Sequence, residues 1–488
     1  MKLFKLRLTT LKSKLYAIVF ASFVVRVVAF FVLPNTASNL GPDESNYGAL
    51  TEWIAQGKPA DEYPYTTLYI ASRSLIIPAT LFHRMGFSGL DSVRIIASIY
   101  GLLTLILAVY LLLKLNASKL EISDFILANQ KKTLFLVAIF AFLPSNLVWS
   151  VLGLREVAME FWVIWVFGLI YYIFEVQKNL SKLAALGILI GIPLVFSSRP
   201  QVGWVVGVTL ITYFMIKVRV RASQILIPIT LIGIVSGYVV TTPYSIERTQ
   251  VFEAHIEIID ATSSPTATSS PTAISSPTAT SQAEFTASLL CENVGQTVSM
   301  QDTKYVCSKK AKKLSIAGLK NPGKALVDQA DAIPYHQEVN QIDAASVIET
   351  QDCPFAGSSR LETYACIAYR APYTTYTFLV RPLLGADVTS SSSLFAAIEN
   401  TFWLGAFLFV LLMLIRNRRL AFFEALAPSL LFFSIYSVAA GAYEGNMGTA
   451  FRHKSLILWV VLLLIASTIV ATQQRKSEQQ GISGSSQE

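Results

Sequence analysis

The sequence predicts a mainly α-helical, polytopic membrane protein of about ten transmembrane helices with one large external loop, and three observations carry that expectation. Of its 488 residues, 53% are hydrophobic and only 14% charged, whereas soluble domains carry about a quarter charged residues. Too few polar side chains remain to cover a water-exposed surface. Apolar runs recur near 15–33, 93–115, 133–152, 157–176, 183–198, 201–217, 224–242, 395–415, 421–441 and 455–472, close to the ~20 residues needed to span ~30 Å of hydrocarbon. Basic residues then sit in short clusters between these runs, as topology signals do.

Charge sets the direction. Lys2, Lys5, Arg7, Lys12 and Lys14 place the N-terminus inside. The run 66–82 is ambiguous, because Arg73 and Pro78 interrupt it and Thr66-Thr67 opens it. If it lies along the outer surface, the clusters Lys114/Lys119/Lys131/Lys132, Lys178/Lys182, Lys217/Arg219/Arg221, Arg416/Arg418/Arg419 and Arg475/Lys476 all fall inside. If it crosses, these clusters turn outward and the loop 243–394 turns inward. The expected architecture is therefore a seven-helix module over 1–242 with an external loop at 34–92, a large external loop at 243–394, three further helices over 395–472 and a cytoplasmic tail at 473–488. The first run is ~19 residues long and contains Arg26, which fits an uncleaved signal anchor better than a cleaved leader.

The net charge of +8 does not point to nucleic acid, since the basic residues are dispersed as topology signals rather than gathered in a patch. Zinc is not expected either. His83, His255, His336 and His453 are scattered, and no Cys-x-x-Cys occurs.

Within the large loop, residues 261–282 repeat Ser-Ser-Pro-Thr-Ala three times. Such a tract cannot bury apolar surface and reads as a disordered linker. It separates a juxtamembrane piece, 243–260, from a small domain at 283–372 that holds Cys291, Cys307, Cys353 and Cys366. Four cysteines allow three pairings. Cys291–Cys307 with Cys353–Cys366 is preferred because each closes a short loop, and a thin core gains from such staples. Disulfides also fit an oxidising, external location. Tyr364, Tyr369, Tyr373 and Tyr376 could stack on sugars or simply pack within that domain.

Chemistry concentrates at the outer face. In the first external loop, Gly41-Pro42 sets a turn and Asp43 opens a helix running to Gln56, in which Tyr47, Leu50, Trp53 and Ile54 recur at helical spacing and Gly57 supplies the stop. Asp43 and Glu44 are adjacent carboxylates just above the first crossing. They read equally well as an N-cap and a first-turn acid. Arg26 lies roughly 10 Å below the outer end of that crossing by helix rise, where a charge faces a cavity or a partner such as Glu160 or Glu399. Arg155-Glu156, Arg199-Pro200 and Arg452-His453-Lys454 bring positive charge to the external side, against the general bias. Arginine forks suit phosphate; the alternative is snorkelling to headgroups, favoured for Lys454 over Arg155 and Arg452. A carboxylate acting as general base on a hydroxyl, with Arg26, Arg155, Arg199 and Arg452 holding a departing phosphate, follows from these parts.

Several short motifs carry a resemblance. They are Pro42-Asp43-Glu44-Ser45-Asn46-Tyr47, Arg94 in Val93-Arg94-Ile95-Ile96-Ala97, Leu143-Pro144 followed by Trp149-Ser150 and Leu154-Arg155-Glu156, Ser198-Arg199-Pro200, and Phe451-Arg452. With seven crossings before a large external loop, this resembles the GT-C superfamily of polytopic glycosyltransferases that use polyprenyl-phosphate sugars, which includes protein O-mannosyltransferases and lipid A aminoarabinose transferases. The likeness covers roughly 1–242 and the last crossings, not 243–394. It implies a GT-C-like fold with the disulfide-bearing domain inserted between helices 7 and 8. It also implies a membrane glycosyltransferase with a polyprenyl-phosphate sugar donor and an extracytoplasmic acceptor. Asp43 matches the family's catalytic base or metal-contacting acid, so a divalent metal is one cofactor the resemblance allows. Glu44 could take the same role, Arg155 and Glu156 match a polar turn beside the active-site cavity, and Arg452 matches a basic position meeting the donor phosphate. Tyr63-Pro64-Tyr65 replaces the family's His-Pro-Pro or Lys-Pro-Pro run, and no Asp-x-Asp occurs in the loop. The expected location is a bacterial plasma membrane. A polysaccharide polymerase or ligase, or a non-enzymatic transporter of a lipid-linked saccharide, are the alternatives.

Overall fold

The computed structural model describes residues 2–33, 43–59, 63, 69, 72–118, 130–177, 180–241, 251–256, 297–300, 303–310, 353–354, 360–388, 391–417, 421–444, 448–463 and 465. These are mainly helical. In chain order the helices are α1 (Lys2–Val32), α2 (Asp43–Ala55), α3 (Arg73–Arg84), α4 (Gly89–Ser118), α5 (Gln130–Phe142), α6 (Pro144–Val151), α7 (Arg155–Tyr171, continued by a π-turn at Tyr172–Gln177), α8 (Lys182–Ser198), α9 (Pro200–Ile216), α10 (Arg221–Thr241), α11 (Arg360–Val380), α12 (Ser391–Asn417), α13 (Ala421–Tyr443) and α14 (448–463).

Five stretches are long and apolar enough to cross a membrane: Leu11–Val32, Gly89–Tyr110, Gln130–Val151, Arg155–Phe174 and Arg221–Val239. Four shorter apolar stretches accompany them, Lys182–Ser198, Pro200–Ile216, Ser393–Phe409 and Ala427–Tyr443. The ambiguous 66–82 run contributes α3, whose 12 residues rise only ~18 Å, short of a bilayer core. Its Ser74 and Leu75 side are buried, and Ser74 meets Ser198 Oγ at 2.6 Å. The third apolar run is broken at Pro144, which sits at the first position of α6, where a missing amide costs nothing.

The chain forms two compact units, Met1–Thr242 with Lys324–Glu488, and Pro243–Gly323. The second unit holds an antiparallel sheet, β1 (Val251–Ile256), β3 (Thr303–Lys310) and β2 (Thr297–Met300), in the order β1-β3-β2. Ala254 stands opposite Cys307, and Val298 opposite Tyr305. The piece 243–260 supplies β1, which pairs with β3 of the segment beyond the proline-rich tract. The described residues 353–354 and 360–372 belong to the helical unit, and position 372 lies inside α11. Cys353 and Cys366 form a disulfide. The Cys291–Cys307 pairing, the 261–282 linker and the 473–488 tail involve residues outside the described ones.

Two apolar clusters fill the helical unit. The larger joins α4, α7, α8, α9, α13 and α14 through residues such as Val163, Phe167, Phe196, Phe214, Phe432 and Trp459. The smaller contains Tyr47, Leu50, Leu75, Ile76, Val93, Trp149, Leu154 and Phe451. Within it, Trp149 and Phe451 meet edge-on at 6.2 Å. That cluster is the floor on which the charged residues described next are mounted.

Candidate functional site

The helix expected after Pro42 is present as α2, and its ends have identifiable causes. Gly57 adopts φ +76° and donates its amide to Ile54 O at 2.9 Å, the left-handed stop that glycine accepts without strain. Glu44, Tyr47, Gly48, Leu50 and Thr51 are buried, a spacing of one helical face. Gly48 is required by close approach: a Cβ there would lie 2.9 Å from the Leu90 amide nitrogen. Across the same seam, Glu52 Oε1 accepts from Gly89 N at 2.9 Å, a carboxylate on the first turn of α4. The sequence reading did not single out Glu52, because its partner is 37 residues away.

The two adjacent carboxylates have opposite fates. Glu44 is fully buried and takes both prongs of the Arg94 guanidinium, Nε to Oε2 at 3.0 Å and Nη2 to Oε1 at 2.9 Å. Its neighbour Asp43 keeps 43% of its side chain exposed and accepts from Arg452 Nη1 at 3.2 Å. Asp43 therefore faces outward beside an arginine, while Glu44 acts as a bolt between α2 and α4. Glu44 is thereby held in a buried, charge-assisted, two-pronged pair.

Around Asp43 the other expected residues gather. Tyr47 is enclosed, and burial pushes its phenol above its ordinary pKa, in the fields of Arg155, Glu156, Asp43 and Arg452. It stays protonated at neutral pH. Glu156, 4% exposed, feels Arg452, Arg155, His453 and Arg199. Three segments distant in sequence thus bring three arginines to one carboxylate, the Gly153 turn into α7, the α8–α9 junction and the start of α14, and the start of α2 adds Asp43. Gly153 has φ +64° and lies against Val93 and Arg94, which fixes where α7 begins.

His453 is the hub that the sequence did not mark for function. Its Nε2 meets Arg199 Nη1, its Nδ1 meets Glu444 Oε1, and Glu156 Oε1 lies 3.8 Å from Nε2. A guanidinium can only donate, so Nε2 is the acceptor and the proton sits on Nδ1, donated to Glu444. Arg199 also stands 3.8 Å from Glu444 and 6.0 Å over the Tyr443 ring. Burial pushes the Glu444 carboxyl up, but His453, Arg199 and Arg452 outweigh it and hold it below the usual carboxylate range. Its Oε2, like Glu156 Oε2, is buried without a hydrogen-bond partner.

Arg26 is not part of this group. Its Nε donates to Ser150 Oγ at 3.0 Å, and its Nη1 reaches Ser22 O at 3.2 Å and Ser22 Oγ. Its acidic neighbour is Glu160, which receives the Asn146 amide nitrogen at 2.8 and 3.1 Å. Glu399, the other acid weighed for Arg26, instead accepts from Ser145 N at 2.9 Å at the start of α6 and from Trp403 Nε1 at 3.2 Å. Lys454 does not snorkel outward. It is 3% exposed and donates to Leu379 O at 3.2 Å, Asn400 Oδ1 at 2.6 Å and Arg381 O.

The divalent metal allowed by the resemblance finds no ligand set: among the described residues no group of three or more His, Cys, Asp or Glu could hold a metal ion. No protein-family model, curated protein or solved structure matches the chain.

Proposed function

We propose that the chain is a membrane glycosyltransferase, moving a sugar from a polyprenyl-phosphate donor to an extracytoplasmic acceptor, in a GT-C-like module of ten crossings with both termini cytoplasmic in a bacterial plasma membrane. The observation that supports it most is the half-exposed Asp43 carboxylate, held by Arg452 beside a buried cluster in which Arg155, Arg199 and Arg452 surround Glu156. Motifs scattered over 400 residues of sequence meet there, on the side where a lipid-linked head would be presented.

In this reading Asp43 removes the proton from an acceptor hydroxyl. The freed oxygen attacks the anomeric carbon, and the sugar–phosphate bond breaks with its electron pair going to the phosphate oxygen. Negative charge grows on that phosphate. An arginine carries five donors in a planar fork, and the Asp43 contact uses one hydrogen of Arg452. Donors aimed at charge that builds in the transition state lower the barrier more than donors aimed at the ground state. Tyr47 and His453 do not transfer the proton. Tyr47 packs under Asp43, and His453 holds Arg199 and Glu444 in place.

The test is sugar release from radiolabelled polyprenyl-phosphate donors by protein in liposomes, comparing wild type with Asp43→Asn. Turnover by wild type alone supports the reading. Equal turnover by both keeps the enzyme and removes Asp43 as base, leaving Glu156 as the next acid in reach. Silence from both across the donor panel overturns it, and favours a polymerase, ligase or transporter acting on larger lipid-linked glycans.

A further inference from the structure

Helix α11 follows the Cys353 segment and ends at Val380. It packs antiparallel along α13. A Cβ on Gly441 would lie 2.8 Å from Thr374 O and Thr375 N, and Phe378 meets the Tyr436 ring at 6.4 Å. Tyr436 is seven residues inside the Ala427–Tyr443 apolar stretch, so roughly 10 Å below its outer end by helix rise. The helix therefore descends beside a spanning helix as it runs from Thr374 to Phe378.

Its C-terminal end confirms the depth. Asn400 donates to Pro382 O at 3.0 Å and to Val380 O, and Lys454 donates to Leu379 O and Arg381 O. Asn400 lies seven residues into the apolar stretch Ser393–Phe409. Four consecutive carbonyls, 379 to 382, are thus taken by two side chains from α12 and α14. A helix ending in water would leave its carbonyls to solvent; one ending in hydrocarbon must have them satisfied by protein. Lys454 spends its three protons on Leu379 O, Arg381 O and Asn400 Oδ1, the full complement of an ammonium, at the negative end of the helix dipole. Arg381 and Asp387 neutralise each other in the turn that follows, with Asp387 also accepting from Leu383 N at 2.7 Å.

What this element turns outward is apolar or amphipathic. Thr374, Thr377 and Phe378 are buried, whereas Tyr369, Tyr373 and Tyr376 form an i, i+4, i+7 stripe that is 43, 37 and 57% exposed. Beyond it, Leu384 (51%) and Val388 (37%) are exposed in the turn. Tyrosines at the bilayer interface and aliphatic side chains just inside it are what hydrocarbon accepts. The surface is continuous in sequence with the exposed Leu394, Phe395, Ile398 and Phe402 of α12.

We propose that α11 and the turn 381–388 form a re-entrant element seated in the outer leaflet, with the Tyr369/Tyr373/Tyr376 stripe crossing the headgroup layer and Leu384 and Val388 in contact with acyl chains. The external segment would then be anchored to the membrane by lipid contact and by the Lys454–Asn400 clamp together. The inference rests on the membrane-spanning reading of α12 and α13, not on the glycosyl transfer.

The experiment is nitroxide labelling of single substitutions Leu361→Cys, Tyr376→Cys, Leu384→Cys and Leu408→Cys in the full chain in phosphatidylcholine–phosphatidylglycerol vesicles. Collision with oxygen is compared with collision with a water-soluble nickel chelate. Leu408, 55% exposed in α12, calibrates the lipid value, and Leu361, 79% exposed at the start of α11, the aqueous one. A several-fold higher oxygen-to-nickel ratio at 376 and 384 than at 361, approaching that at 408, is expected. Aqueous values at 376 and 384 with a lipid value at 408 overturn the proposal alone. Shielding of 376 and 384 from both reagents overturns it in favour of a protein contact, and an aqueous value at 408 overturns the membrane reading of α12 itself.

Discussion

Two of the buried charged groups among the described residues are built in opposite ways. Around Asp43, the residues Arg155, Arg199, Arg452, Glu156, Glu444 and His453 arrive from separate segments, share partners, and leave Asp43 half exposed at the edge. In the other, Arg26, Ser22, Ser150, Asn146 and Glu160 form a closed set joining α1 to α6 and α7, with Arg26 and Glu160 each 3% exposed. A set of buried side chains bonded to one another stabilises a contact between helices. An edge with one exposed carboxylate and arginines behind it can also exchange partners with a ligand. Burial alone does not mark function; an open edge does.

Removing a charge from a closed pair should break the molecule first. Arg94→Ala leaves Glu44 buried and uncompensated, and a loss of about 3–5 kcal/mol is expected, read as a large fall in thermal midpoint and yield in detergent. Arg94→Lys should recover only part of it, because an ammonium cannot reproduce the two-pronged contact with Glu44 Oε1 and Oε2. If Arg94→Ala melted like wild type, the bolt between α2 and α4 would have to be abandoned.

The open edge should respond in the other coordinate. Asp43→Asn removes a half-exposed charge, so the melt should move little, while sugar release falls about 10²–10⁴-fold if Asp43 is the general base. A mutant that loses both together would place Asp43 with Glu44 as a structural acid, and the contrast between neighbours would disappear.

A double-mutant cycle tests the deep set. Arg26→Leu and Glu160→Leu should each destabilise by several kcal/mol, and the double substitution by less than their sum. Additive losses would mean that Arg26 is held by Ser22 and Ser150 alone. Transfer activity per folded molecule should be unchanged throughout, which separates this layer from the outer one. The sequence reading had grouped Arg26 with the phosphate-binding arginines, and this measurement decides whether that grouping has any basis.

Much of this was legible beforehand, and the reasons differ by residue. The helix from Asp43 to Gly57 was readable because a turn, a 3.6-residue apolar period and a glycine stop are all local. The apolar runs were readable because hydrocarbon demands length. His453 was not, since its meaning lies in Arg199 and Glu444, brought to it by the packing of α9 and α13. Lys454 pointed the wrong way for a similar reason: snorkelling is the default for a lone lysine at a membrane edge, and only the returning carbonyls of α11 give it three acceptors inside. The pairing of β1 before the proline-rich tract with β3 after it was not legible, because strand partners about 50 residues apart leave no local signal.

The smallest expected effect tests how the open edge is held. Glu52 lies on the third turn of α2 and accepts the Gly89 amide at the start of α4, while Gly48 lets the two backbones close on the same seam. Glu52→Ala removes the cap and should cost about 1 kcal/mol, within the range for lost helix caps, visible as a shift of a few degrees in the melt. Because α2 carries Asp43, a second consequence follows if the cap also sets the tilt of that helix: donor KM should rise with kcat nearly unchanged, as expected when a group is displaced without being lost. A Gly48→Ala substitution pushes the same seam apart from the other side and should raise KM further. Should neither variant alter KM while both lower the melt, the Arg94–Glu44 bolt alone would be sufficient to position Asp43, and the seam would belong to folding rather than to the site.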